Sequence, residues 1–410
     1  MRNVLNKLLC LVLALLLLPL PVMAASEATF NANAFELGTP VSGANSFIVS
    51  IGDANKAVLE AEAAEGRTVQ ATVDCPFGEA HVFLLRQSGE ELVESTMSGG
   101  KITFRIPTSG DYKIVEGKVF KIANTNMVFG NSLKMNFWIR KSDLSGNGYQ
   151  AVVTKYYEDG SKKESIYPFA QWEDYNSSYY RVSCDNIAAK EMSDLVTVQI
   201  FHTDGTVASY LYTDSVRSYA MDMLKYYRSG KLATALVDML NYGAAAQDFF
   251  NYNEADLANK ALTETQQGLA TQHVTFRNKE EKDSNCYGSS LTLESNIILN
   301  LYFKNVTEDM RAEVEFTDHY GKKQAKTYTF AEFCKNKDKE ENVIYGVPVN
   351  NLVVADGRQP VTCRLYKGET LVSTYVSSVE NYVAIKQSDE VPLYEATLKF
   401  VDSAHAYFHP

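Results

Sequence analysis

The chain has 410 residues, with 50 acidic against 39 basic side chains and a formal charge of −11. That balance excludes nucleic acid as a partner, because phosphate recognition rests on clustered Lys and Arg. It also disfavours anionic lipid and anionic wall polymers unless a divalent cation bridges the two surfaces, and leaves a neutral glycan or another protein as the fitting partner class.

Met1 to Lys7 carries Arg2 and Lys7 without an acid, Leu8 to Val22 is almost wholly aliphatic, and small residues follow at Ala24 and Ala25. This is the layout of a secretory signal peptide over residues 1–25, cleaved after Ala24 or Ala25. A membrane span needs about 20 apolar residues, and Pro19 and Pro21 interrupt this run early. Cys10 follows Leu9 inside the run, so lipoprotein processing is not expected, and no membrane insertion should follow cleavage. Losing Arg2 and Lys7 takes the formal charge from −11 to −13. The expected location is extracellular, secreted or associated with the cell surface.

The mature cysteines are Cys75, Cys184, Cys286, Cys334 and Cys363, an odd number without a CxxC pair. No disulfide framework is indicated, and these thiols are expected to be mostly free or buried.

Residues 26–118 read as an all-β domain of β-sandwich type, with alternation at Ala57 to Glu62, Val69 to Val73 and His81 to Leu85 and turns marked by Gly and Pro. The stretch Gly100 to Val115 resembles the closing hairpin of a bacterial immunoglobulin-like or surface-repeat module.

Laying the remainder of the chain on itself exposes a repeat. Asn131 to Ile139 lies over Ser295 to Phe303, and both alternate with period two. Leu133, Met135, Phe137 and Ile139 therefore share one face, as do Ile297, Leu299, Leu301 and Phe303. Each copy continues with a hairpin, turning at Glu158-Asp159-Gly160 or His319-Tyr320-Gly321. A string follows at Phe169 to Trp172 or Phe330 to Phe333, then a second hairpin turning at Asp204-Gly205 or Lys367-Gly368. Ser215 and Ser378 then cap a first helix at the same place in both copies. The second helices, Leu232 to Phe250 and Leu393 to Phe408, align Leu240, Tyr242, Ala246 and Phe250 with Leu398, Phe400, Ala404 and Phe408. Gly243 to Ala246 make a slim stripe expected to pack on the first helix or the sheet.

The fold class is thus α+β: an N-terminal all-β domain (26–118), then two repeated modules of antiparallel strands plus two helices, at 119–257 and 285–410. The polar segment 258–284 joins them as a linker, with one short helix and a solvated charged run at Arg277 to Asp283.

The strings Ala188 to Asp194 (AAKEMSD), Ser215 to Tyr219 (SVRSY) and Leu240 to Asn259 (LNYGAAAQDFFNYNEADLAN) resemble an uncharacterised family of secreted or surface-displayed modular proteins of Gram-positive bacteria. The resemblance implies export and modularity, and carries over no site residue.

Catalytic patterns are weak. Ser98 and Lys101 have serine–lysine spacing, but the two glycines between them sit in a β-rich region and forbid the helix that chemistry needs. GxSxG, phosphate-loop and dinucleotide fingerprints are missing. His405 and His409 lie one turn apart without a third ligand, so no metal is assigned. Calcium at Ser142 to Asn147 or Asn253 to Asn259 lacks loop spacing and is not expected, so no cofactor is assigned. The candidate ligand site is aromatic: Trp138 with Asn136, and Tyr302 with Asn300 in the second copy, a flat ring beside an amide as in a sugar platform. The competing reading places both rings under the helices as core. Tyrosine doublets at 156–157, 179–180 and 226–227 should each bury one ring and expose the other. The expected function is non-catalytic adhesion or binding of a glycan or protein, with an extracellular hydrolase and a structural spacer as rivals.

Overall fold

The computed structural model describes residues 28–30, 35–37, 46–51, 69–86, 89–117, 119–129, 133–277, 279–293, 297–386 and 391–409. The expected leader and the strand expected at Ala57 to Glu62 lie outside these residues. The chain divides into two compact units, Met1–Phe120 and Lys121–Pro410, and its sheets are dominated by antiparallel pairing.

In the first unit, Ala28–Phe30, Val69–Asp74, Lys101–Arg105 and Ser95–Ser98 form one sheet. Phe35–Leu37, Ser46–Ile51, Gly110–Glu116, Ala80–Arg86 and Gly89–Val93 form the other. Alternation turns Ala71, Ile102 and Phe104 of the first and Val49, Leu84 and Tyr112 of the second into one shared core, a β-sandwich. The expected closing hairpin is overturned, because Lys101–Arg105 and Gly110–Glu116 belong to different sheets. Ile106 N makes the last ladder bond, to Val69 O at 2.8 Å. Pro107 then offers no N–H, and the chain crosses to the other sheet. The Tyr112 hydroxyl donates back to Thr108 O at 2.5 Å, pinning that crossover in the manner of a tyrosine corner.

The second unit holds two sheet pairs with matching strand order. Asn124–Phe129, Leu133–Arg140, Tyr179–Ile187 and Glu173–Asp174 form one sheet of the first half. Cys286–Leu293, Ile297–Phe303, Val343–Val349 and Cys334–Lys337 take the same order in the second half. The facing sheets run Tyr212–Asp214, Val196–His202, Tyr149–Tyr156, Lys162–Pro168, and then Thr370–Ser377, Val361–Lys367, Met310–Thr317, Lys323–Thr329, with Glu281–Lys282 added at the edge. Aromatic rings bridge each pair of sheets, Phe137 to Tyr212 and Phe303 to Tyr375, both at 6.0 Å between centroids.

Helices α1 (Val216–Tyr226), α2 (Lys231–Phe249), α3 (Glu264–Gln267), α4 (Val379–Lys386) and α5 (Pro392–Phe408) complete the unit. Ser215 Oγ accepts from Ser218 N and Ser378 Oγ from Asn381 N, both at 3.0 Å, the two expected caps. Helices α2 and α5 pack on one another. Tyr242 stacks on Phe400 at 5.7 Å, so two residues aligned by the repeat meet each other, the signature of a two-fold-related contact. Helix α2 touches α1 as expected, but Gly243 of the slim stripe has another neighbour: a Cβ there would lie 2.5 Å from Met192 Sδ and 3.2 Å from Ala189 O. Gly243 thus admits the short helix at 189–191 rather than α1 or a sheet.

The described residues of the segment 258–284 are docked. Buried Asp238 of α2 accepts from Thr271 Oγ1 at 2.6 Å and Thr271 N at 3.0 Å. The charged run is not simply solvated: Glu280 accepts from the Tyr375 hydroxyl at 2.5 Å, and Asp283 accepts from Ser373 Oγ at 2.8 Å and Thr374 N at 2.9 Å. Each half also ties its first hairpin to a short helix through an acid–base pair, the buried Lys155 with the half-buried Glu191 at 2.6 Å and the buried His319 with the buried Asp356 at 2.8 Å.

Phe400→Ala should lower stability by about 3–5 kcal/mol, the usual cost of emptying a buried aromatic site, measured by urea unfolding. A loss below about 1 kcal/mol would show that the helix pair does not hold the two halves together.

Candidate functional site

The three strings that carried the family resemblance converge in space. Gln247 of α2 is fully buried; its amide donates to Ser193 Oγ at 3.0 Å and its carbonyl accepts from Ala258 N at 2.7 Å. Arg217 N donates to Met192 O at 2.8 Å, and its guanidinium binds Asp256 at 2.8 Å. The Tyr252 hydroxyl donates to Asp194 Oδ2 at 2.6 Å. These residues knit α1, α2 and the 189–191 helix together, which makes the most distinctive sequence in the chain a packing device. Burial pushes the Asp194 carboxyl up to about 6, against the lowering effect of the Tyr252 bond.

The aromatic candidates occupy the outward face of the first sheet in each half. Trp138 is half-buried, and its indole N–H donates to Asn126 Oδ1 at 3.1 Å. Tyr175 and Tyr179 meet it edge to face at 4.3 and 6.2 Å, a favoured geometry. The Arg181 guanidinium lies 5.1 Å from the Tyr175 ring and 5.7 Å from Trp138, within cation–π range, and is held by Glu173 at 2.9 Å. Tyr175 is 50% exposed, so this cluster opens to solvent.

Asn136 and Asn300 are not surface amides. They are 0% and 7% exposed, because cross-strand neighbours close over them. Asn136 Oδ1 accepts from Ser183 Oγ at 2.8 Å, while its Nδ2 has no partner. In the second half, Asn300 Nδ2 reaches Ser290 Oγ at 3.3 Å and Thr292 Oγ1 at 3.5 Å. The register explains the difference: Asn126 and Val128 stand where Ser290 and Thr292 stand, Asn126 Oδ1 is taken by Trp138, and Val128 offers no oxygen. Tyr302 differs from Trp138 as well, since its ring lies on Gly346, where a Cβ would be 2.7 Å from Cε1, and Gly346 takes the register place of Arg181.

Other expectations resolve locally. Ser98 and Lys101 pair across a turn whose glycines have φ of 59° and 73°, so they share no helix. Burial pushes the thiol of Cys184 up to about 11 and that of Cys363 upward, which keeps both protonated near neutrality. All five described cysteines are free, and Cys334 alone among them is exposed. His405 Nδ1 contacts Ala355 O at 3.2 Å, and among the described residues no group of three metal-ligating side chains gathers. Ser145 bonds the Tyr149 hydroxyl and Asn259 bonds Asn241, so the two oxygen-rich segments close on the protein itself. The doublets do not alternate as expected. Tyr226 and Tyr227 are both exposed, Tyr179 and Tyr180 are both half-buried, and neither Tyr156 nor Tyr157 is buried. Sequence spacing missed Tyr175 and Arg181, because strand pairing rather than proximity along the chain brings them to Trp138.

No protein-family model and no curated protein matches the chain. Among solved structures, a tetra-tandem repeat from the extending region of a large adhesion protein aligns with 87% of this chain and 74% of its own, at 9% identity and a TM-score of 0.16; a likeness that low carries no argument. No helix among the described residues is long and apolar enough to cross a membrane.

Two predictions follow from the geometry. A carboxyl whose folded value is raised binds its proton more tightly in the folded state, so its contribution is full below the unfolded value of about 3.9. It is lost as pH rises through about 6. Asp194→Asn, which keeps the acceptor for Tyr252, should therefore raise Tm at pH 7 and leave it nearly unchanged at pH 4; equal shifts at both would refute the assignment. Val128→Thr should give Asn136 its missing acceptor and stabilise by about 1 kcal/mol, read by chemical denaturation; a loss of stability would refute it.

Proposed function

We propose that this chain is an exported, non-catalytic binding protein of the kind its family-like strings point to, comprising an N-terminal β-sandwich domain and two diverged copies of one module across residues 121–410. Matching strand order in the two halves, matching helix caps and the stacking of Tyr242 on Phe400 support the duplication. The observation that carries the binding reading is the solvent-open cluster of Trp138, Tyr175, Tyr179 and Arg181. Three rings and a guanidinium on one sheet face suit the apolar face and hydroxyl edges of a neutral glycan. The acidic chain favours an uncharged ligand for the same reason that it disfavours polyanions.

The site differs from the paired platform expected at Trp138 and Tyr302. Gly346 lets the Tyr302 ring lie flat on the backbone, so binding is assigned to the first half. The test is an array of neutral glycans probed with the purified protein. Saturable binding weakened about tenfold by Trp138→Ala, equivalent to about 1.4 kcal/mol, is the expected result. Binding indifferent to that change would remove the Trp138 site, and binding to no glycan at all would favour a spacer.

A further inference from the structure

We infer that the cleft between the two halves of residues 121–410 is a second, separate binding site, for a neutral ligand bearing hydroxyl groups such as a short uncharged saccharide. The cleft has a volume of about 510 Å³, inside the usual range of roughly 300–1,000 Å³ for small-molecule sites. Strand Asn124–Phe129, α1 and the start of α2 form one wall; the 319–320 turn and the end of α5 form the other. Its rings are Tyr219, Tyr227, Tyr320, Tyr407 and Phe408, and no Lys, Arg, Asp or Glu lines it. A charged ligand would find no counter-ion there, so the lining selects for neutrality.

A purely apolar occupant is disfavoured by the polar group in the wall. His319 lines the cleft and is only 8% exposed. Asp356, 2% exposed, accepts from His319 N at 2.7 Å and lies 2.8 Å from Nδ1. That grip occupies Nδ1 and leaves Nε2, which among the described residues has no protein partner, as the ring nitrogen open to a ligand. Phe408 packs at 5.0 Å and Tyr320 at 4.0 Å from the imidazole, so the ring is held in place before any ligand arrives. Covering Nε2 with hydrocarbon would strand a buried polar nitrogen, whereas a hydroxyl, which both donates and accepts, would satisfy it. Tyr320, 68% exposed, stands at the mouth as a stacking surface.

The first half has no such group. Glu158 takes the turn position of His319, and its carboxylate accepts from Asn253 N at 2.6 Å. The site therefore belongs to the junction and to the second half's histidine, and it stands or falls independently of the Trp138 cluster.

The test is saturation-transfer NMR with uncharged disaccharides, run in the Trp138→Ala background so that the outer face contributes nothing. The expected result is saturable binding that Tyr320→Ala and His319→Gln each weaken about tenfold, with Ile166→Ala, on an edge strand outside the cleft lining, without effect. Tyr320 is too exposed for its removal to threaten folding, so that variant decides the matter even if His319→Gln does not fold. No disaccharide binding, binding indifferent to Tyr320→Ala, or uptake confined to an apolar peptide or detergent would each overturn the proposal.

Discussion

The contact between α2 and α5 is the constraint on which the second unit depends. Each helix must bury an apolar stripe, and each finds in the other a surface of like composition: Leu240 and Leu398, Tyr242 and Phe400, Ala246 and Ala404 are all buried. Burying each leucine and Phe400 contributes about 1.5–3 kcal/mol, and the alanines let the helices approach. A module that met its own copy could satisfy both stripes at once, and the two halves consequently fold as one body rather than as beads on a linker. The segment between them is drawn in as well, held by Asp238 on one side and by the strand at 370–377 on the other.

With the frame set by helix packing and strand pairing, equivalent positions are free to carry different chemistry. One half closes its first hairpin with a lysine–glutamate pair, the other with a histidine–aspartate pair. One places arginine beside its sheet aromatic, the other glycine. Backbone ladders depend on alternation and register, not on which polar group stands at the surface, so these exchanges leave the architecture intact while giving the two halves different surface chemistry. The junction cleft shows the same divergence: its wall carries His319 of the second half, where the first half has Glu158 at the matching turn.

The most distinctive strings in the chain turn out to be structural. Gln247, Tyr252 and Arg217 are polar residues used inside the protein, where an unpaired group is costly and a satisfied network fixes one arrangement. Distinctiveness in such strings reflects how few side chains complete that network. The residues best placed to meet a ligand, Tyr175 and Tyr320, sit in turns with no motif around them, as loop-borne binding residues often do.

Period two followed by period three and a half was readable at matched points in both halves, and it determined the strands, the serine-capped helices and the inward faces of Leu133–Arg140 and Ile297–Phe303, because burial of one face is a local demand on each element. Which sheet a strand joins was decided only in three dimensions, as Gly110–Glu116 shows by leaving its neighbour in sequence for the opposite sheet. Likewise, the alternation that placed Trp138 and Asn136 on one face said nothing of Ser183, Tyr175 or Arg181, which arrive through cross-strand pairing. The burial of Asn136, the docking of 258–284 and the pairing of His319 with Asp356 all join residues far apart in the chain, and such contacts are decided by packing between elements, on which periodicity along one element carries no information.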